Sequence, residues 1–141
     1  MSPARARRRP SRAVLAEMAR LAAEARDRAH APYSKFRVGA ALKTATGEIV
    51  TGCNVENASY GLTMCAERVA VYKAVSEGLT DLDAIAIVAD AERITPPCGP
   101  CRQILWEFGG NLTVHMVNPK GRSRTMRLKE LLPLPFDERN L

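Results

Sequence analysis

Cys65-Ala66-Glu67-Arg68 and Pro97-Cys98-Gly99-Pro100-Cys101 are the two stretches from which the 141-residue chain is best read. Thr63 precedes a helical pattern through Cys65, Val69, Tyr72, Lys73 and Val75, and Gly78 ends it in the C′ position. Pro96-Pro97 breaks the chain, after which Cys98 to Phe108 reads as a second helix stopped by Gly109-Gly110. Between the two, Ala84 to Ala89 is a continuous apolar run of strand length, the mark of a central buried strand. Each cysteine motif therefore opens a helix, and a buried strand separates them.

Working outward, Phe36 to Leu42 and Glu48 to Val55 read as a hairpin across the Thr46-Gly47 turn. The first strand carries small residues at Gly39, Ala40 and Ala41, which predicts close backbone approach by another layer or a ligand. Val14, Leu15, Met18, Leu21, Ala22 and Ala25 recur at helical spacing, with Ser11 as N-cap and Pro32 as the stop. Leu112 to Val117 and Arg124 to Leu128 are further strands around an Asn118-Pro119-Lys120-Gly121 turn. Leu131 to Phe136 is expected to end the fold as an extended apolar tail. A hairpin followed by βαβ alternation predicts an α/β fold, a mixed sheet with helices on its faces.

Hydrophobic residues make up 46% and charged residues 26%, the balance of a soluble globular chain of one domain. The formal charge of +6 is concentrated in Arg5, Arg7, Arg8, Arg9 and Arg12, which precede the first acidic residue, Glu17. Residues 1–12 are thus expected to be a disordered Arg-rich tail, and 13–141 a single folded domain. The nearly neutral body is no footprint for nucleic acid, and with 5% aromatic residues it offers few stacking platforms. No apolar run approaches the roughly 18 residues of a membrane span, and no apolar segment follows the basic start as in a secretory signal. A cytoplasmic location is expected, where four cysteines serve a metal or stay free more often than they form disulfides.

The chemistry follows from the cysteines. Zinc favours soft thiolates in a tetrahedral array, and a catalytic zinc keeps one position for water. Cys65, Cys98 and Cys101 supply three thiolates, and helix N-termini stabilise such anions. Three thiolates leave zinc net negative, so a cation should stand beside them, and Arg68 is placed for this. A lone glutamate in a first helical turn is usually a dipole partner, but two residues from a ligand Glu67 suits proton transfer. Cys53 is left over as a small buried hydrophobe, and Asn54 and Glu56 by themselves read as polar strand-end residues.

Cys-x-Glu followed by Pro-Cys-x-x-Cys is an established signature of zinc-dependent nucleobase deaminases. Further blocks flank it: Pro32-Tyr33-Ser34-Lys35-Phe36-Arg37-Val38-Gly39-Ala40-Ala41, Gly52-Cys53-Asn54-Val55-Glu56-Asn57-Ala58-Ser59-Tyr60, Arg102-Gln103 and Glu130-Leu131-Leu132-Pro133. Across these, from Pro32 to Leu141, the chain resembles the small, three-cysteine, homotetrameric cytidine deaminases. The resemblance implies a three-layer α-β-α sandwich around a five-stranded mixed sheet. It also implies zinc-dependent deamination of cytidine and 2′-deoxycytidine in pyrimidine salvage. Residue by residue, it implies Cys65, Cys98 and Cys101 as ligands of one Zn²⁺ and Glu67 as proton shuttle. It further implies Asn54 and Glu56 on the ribose hydroxyls, Phe36 against the pyrimidine and the Ala66 backbone on the base. Tyr60 and Phe136 would reach a neighbouring subunit's site. Two departures are the arginine-rich extension before Ala13 and Pro100, which stands where the family often has alanine.

Three rivals are weaker. Cys98-Gly99-Pro100-Cys101 matches the thioredoxin tetrapeptide, but Trp does not precede it, and it leaves Cys65 and Glu67 unexplained. A structural zinc module would need a fourth ligand from Cys53, His30 or His115. A deaminase of a modified cytosine nucleoside, of the blasticidin type, is disfavoured by Asn54-Val55-Glu56-Asn57.

Overall fold

A computed structural model of the protein describes residues 8–141. The expected arginine tail falls mostly outside them, and its last residue, Arg12, is the first of a helix. The elements are α1 (Arg12–Arg26), β1 (Val38–Thr44), β2 (Ile49–Cys53), α2 (Ala66–Ser76), β3 (Leu82–Ala89), α3 (Gly99–Gly109), β4 (Thr113–Val117), β5 (Ser123–Arg127) and α4 (Leu128–Leu131). The sheet order is β2-β1-β3-β4-β5, with β3 and β4 parallel and the other neighbours antiparallel. The mixed sheet is as predicted.

Strand alternation divides the core into two layers. Ala40, Leu42, Ile85 and Ile87 pack with Ala70 and Val71 of α2 and Leu105 of α3. Their neighbours Ala41, Ala84, Ala86 and Val88 point the other way and pack with Leu15, Met18 and Ala22 of α1. The result is three layers, α-β-α. Ser11 caps α1 by accepting from the Val14 N–H at 3.2 Å. Gly78, at φ +82°, follows α2 in the left-handed conformation its C′ position requires.

Of the small residues of β1, Gly39 and Ala41 face the α1 layer. A Cβ on Gly39 would stand 1.9 Å from the Ala22 carbonyl oxygen and 2.5 Å from the Arg26 nitrogen. Both are helix backbone atoms, which cannot swing aside. Gly39→Ala is therefore expected to cost at least the about 1–3 kcal/mol of core overpacking. An unaltered urea midpoint in that variant would contradict the packing.

The expected extended tail, Leu131 to Phe136, has no helix or strand after Leu131, but it is bracketed by two short helical turns that the sequence did not predict. The carboxylate of Glu130 accepts from the Arg127 N–H at 2.8 Å, Leu132 donates to the Leu128 carbonyl at 2.8 Å to close the single turn of α4, and Leu128 donates to the Leu112 carbonyl at 2.9 Å, tying that turn to the start of β4. Farther on, a 3₁₀ turn spans Glu138–Asn140, with Asp137 as its cap.

Candidate metal centre and active site

Cys65 is the N-cap of α2 and Cys98 the N-cap of α3, and neither thiol caps its own helix. Cys101 follows one turn into α3 and is fully buried. The two helix starts converge, and their positive ends face one point. The Cys65 and Cys98 sulfurs are 3.8 Å apart, those of Cys98 and Cys101 are 3.3 Å apart, and all three lie within 4.8 Å of one another. A tetrahedral zinc with bonds of about 2.3 Å holds its sulfurs about 3.8 Å apart, so the donor set fits this metal. Cys53, His30 and His115 are not among the clustered donors, nor is Glu67, which leaves a three-thiol set with no fourth protein ligand among the described residues.

Charge is shared across the cluster. The neighbouring Cys101 thiol and Arg68 draw Cys65 down to about 5 against the effect of burial. The nearby Cys65 sulfur, reinforced by burial, pushes Cys101 strongly upward. Arg68 donates from Nη2 to Cys65 Sγ at 3.2 Å, as a cation beside the thiolates should. Its Nε is buried without a partner among the described residues. Glu67 is 6% exposed, and burial raises its carboxyl to about 7. A carboxyl poised there both accepts and returns a proton near neutrality.

The strip from Asn54 to Glu56 is stitched to this centre by backbone bonds. Val55 exchanges a pair of 2.9 Å hydrogen bonds with Met64, the residue before Cys65, while Glu56 donates to His30 at 2.8 Å. Glu56 accepts from the Tyr33 and Ser34 N–H groups at 3.0 and 3.1 Å and from the Ser34 hydroxyl. The Ser34 hydroxyl above all, with these N–H groups, holds its carboxyl below the usual range, so it presents an ionised acceptor. A cleft of about 330 Å³ opens against it, lined by Tyr33, Ser34, Tyr60 and Thr63. Asn54 is buried, with its Oδ1 accepting from Val38 N at 2.9 Å and its Nδ2 donating to Phe36 O at 2.8 Å. Phe36 is partly exposed, and Ala66 opens α2 with its side chain buried.

Tyr60 and Phe136 are exposed aromatics, and Tyr60 meets Tyr33 edge-to-face at 6.1 Å. The residues holding the Phe136 segment escaped the sequence reading. Gln103 donates to the Phe136 carbonyl at 2.7 Å, and Trp106 donates to Asp137 at 2.9 Å. A lone tryptophan, whose N–H wants a partner when buried, and a carboxylate in an apolar tail were the available signals. His115 is satisfied by Thr125 at 2.8 Å, and Cys53 ends β2 half-buried.

The model of the cytidine and deoxycytidylate deaminase zinc-binding region matches residues 13–117, a span containing all three clustered cysteines. The chain belongs to this family. The cytidine deaminase of Halalkalibacterium halodurans is 50% identical over 116 residues, covering 82% of this chain and 88% of that protein. The crystal structure of cytidine deaminase from Burkholderia pseudomallei superposes with a TM-score of 0.83 at 44% identity, covering 86% of this chain and 98% of that one. A blasticidin-S deaminase of Bacillus cereus is more distant, 32% identical over 111 residues, covering 73% of this chain and 79% of that protein. Membership makes the three-thiol cluster part of a zinc-binding region, and it leaves the thioredoxin reading of Cys98 and Cys101 without support. Among the described residues no helix is long and apolar enough to cross a membrane.

Proposed function

We propose that the protein catalyses hydrolytic deamination of cytidine and 2′-deoxycytidine to uridine and 2′-deoxyuridine, consuming water and releasing ammonia. One observation carries this reading. Three thiols are gathered at zinc spacing, and a buried carboxyl stands beside them outside the donor set. Zinc, when held there, would supply Lewis-acid activation of water. Cys65, Cys98 and Cys101 are assigned to hold it.

Glu67 takes the proton that the attacking water sheds and passes it to the ring nitrogen N3. It takes a second proton from the added oxygen and delivers it to the departing amino group. Glu56 accepts from a sugar hydroxyl, and the Asn54 amide contributes its second N–H. Phe36 covers the pyrimidine, and the Ala66 backbone at the mouth of α2 contacts the base. The ordinary nucleoside is favoured over a modified one by the identity to cytidine deaminases. Tyr60 and Phe136 are assigned to a neighbour's site in a homotetramer, since exposed aromatics of this kind call for cover. A reducing compartment such as the cytoplasm suits thiols that must stay free.

Deamination in ¹⁸O-enriched water tests the reaction class. The expected product is uridine carrying one labelled oxygen, with one ammonia per turnover. Unchanged cytidine, or unlabelled product, would overturn the reading. Arg68→Gln removes the cation beside Cys65 without touching a ligand. It is expected to retain zinc and lose about 10–100-fold in activity, as loss of a ligand's supporting partner does. Full turnover in that variant, measured at saturating cytidine, would deny Arg68 its role.

A further inference from the structure

The face of β4 and β5 toward α1 holds a second group of chemistry-bearing residues, on the side of the sheet opposite α2 and α3. A cavity of about 400 Å³ there is lined by Arg9, Arg12, His115, Ser123 and Thr125, and none of its lining residues is acidic. Its size lies within the about 300–1,000 Å³ range of small-molecule sites. A smaller cavity of about 70 Å³ shares Arg9 and Thr125 with it and reaches Thr113.

Two independent observations say what such a place would take. The first is unbalanced positive charge. Arg12 opens α1, whose first turn contains no acidic residue, although a helix N-terminus favours the opposite sign. Neither Arg9 nor Arg12 has a carboxylate partner among the described residues; Glu17, the nearest acid in sequence, is engaged by Arg20 at 2.6 Å. Glu130 lines the smaller cavity, but its carboxylate accepts from the Arg127 N–H at 2.8 Å. The second is an unused donor. Thr113 is 1% exposed, and its hydroxyl has no hydrogen-bond partner among the described residues. A buried polar group left this way costs stability unless something fills its need.

We propose that this groove binds a small phosphate-bearing anion, gripped by Arg9 and Arg12 and met at its inner end by the Thr113 hydroxyl. The arginines supply forked donors matched to phosphate oxygens, and the helix end adds its partial positive charge. The site stands apart from the cysteine cluster, so occupancy need not displace a nucleoside. It also gives Arg9 and Arg12 a use within the folded body.

Isothermal titration of the zinc-loaded, full-length protein with inorganic pyrophosphate, at ionic strength fixed by chloride, tests this. Saturable binding of about one pyrophosphate per chain is expected. The Arg9→Ser/Arg12→Ser pair and Thr113→Val should each weaken it at least about tenfold, with cytidine turnover unchanged. Thr113→Val should melt no lower than the parent, because it removes a hydroxyl that has no partner, so lost binding there is not lost folding. Arg122 and Arg124 line a different cavity, and their replacement by serine should leave binding intact. A nucleoside diphosphate binding more tightly than pyrophosphate would support the site and identify its source. No saturable binding above chloride, loss only with Arg122 and Arg124, or binding only of a single-stranded oligonucleotide would overturn it.

Discussion

Glu67→Gln lowers cytidine turnover by at least ~10²–10⁴-fold, the usual worth of general acid–base catalysis, while zinc content stays at that of the parent protein. Glutamine keeps the shape of the buried side chain and its packing at the start of α2, but it cannot accept a proton. The separation of the two readouts follows from the geometry. Glu67 is not among the three sulfur donors, so metal retention should not depend on it. Burial pushes its carboxyl up to about 7, which suits a group that must both accept and donate in each cycle. Turnover close to that of the parent would remove Glu67 from the mechanism. Loss of zinc in the variant would instead make it part of the metal's support.

Cys101→Ser is the second large effect. Its sulfur is the most enclosed of the three, and it ties the start of α3 to the Cys65 end of α2. A hydroxyl is a far poorer donor to zinc than a thiolate. The variant is expected to emerge from dialysis with little zinc and turnover at background, a larger loss than the 10–100-fold that follows removal of a ligand's neighbour. Because metal binding stabilises the folded state, its melting temperature should also fall and cease to respond to added zinc. Cys53→Ser provides the contrast, since that thiol lies outside the cluster and should leave zinc content unaltered. Equal zinc in the two variants would refute the assignment of Cys101.

Much of this was legible in the residues because local rules and tertiary packing agree. Ser11 caps α1, Gly78 closes α2, and the run from Ala84 to Ala89 lies within the central strand β3. The small residues of β1 pointed to a close neighbour, and the Ala22 carbonyl against Gly39 is that neighbour. The three cysteines were legible because Cys-x-Glu followed by Pro-Cys-x-x-Cys is a deaminase signature, and a common centre also accounts for Glu67 beside Cys65.

The misplaced boundaries share a cause, partners from elsewhere in the chain taking over backbone groups. β1 starts at Val38 rather than Phe36 because the Asn54 amide bonds both the Val38 N–H and the Phe36 carbonyl. Val55 leaves β2 because its partner is Met64. α2 begins at Ala66, with Cys65 in its N-cap position, while the hydroxyl of Thr63 accepts from the Asn57 N–H at 3.1 Å. Contacts across 16 or more positions, like that of Trp106 with Asp137, leave no periodic trace in the chain. At the site itself, the sequence named Glu56, but its orientation depends on Tyr33 and Ser34, which only the fold brings to it.

The most direct test is ultraviolet-monitored conversion of cytidine to uridine, with zinc determined on the same sample before chelation, after it and after zinc is restored. The account predicts about one zinc per chain and turnover that falls and returns with the metal. Absence of conversion with a full complement of zinc, or turnover that persists once the zinc is gone, would contradict it.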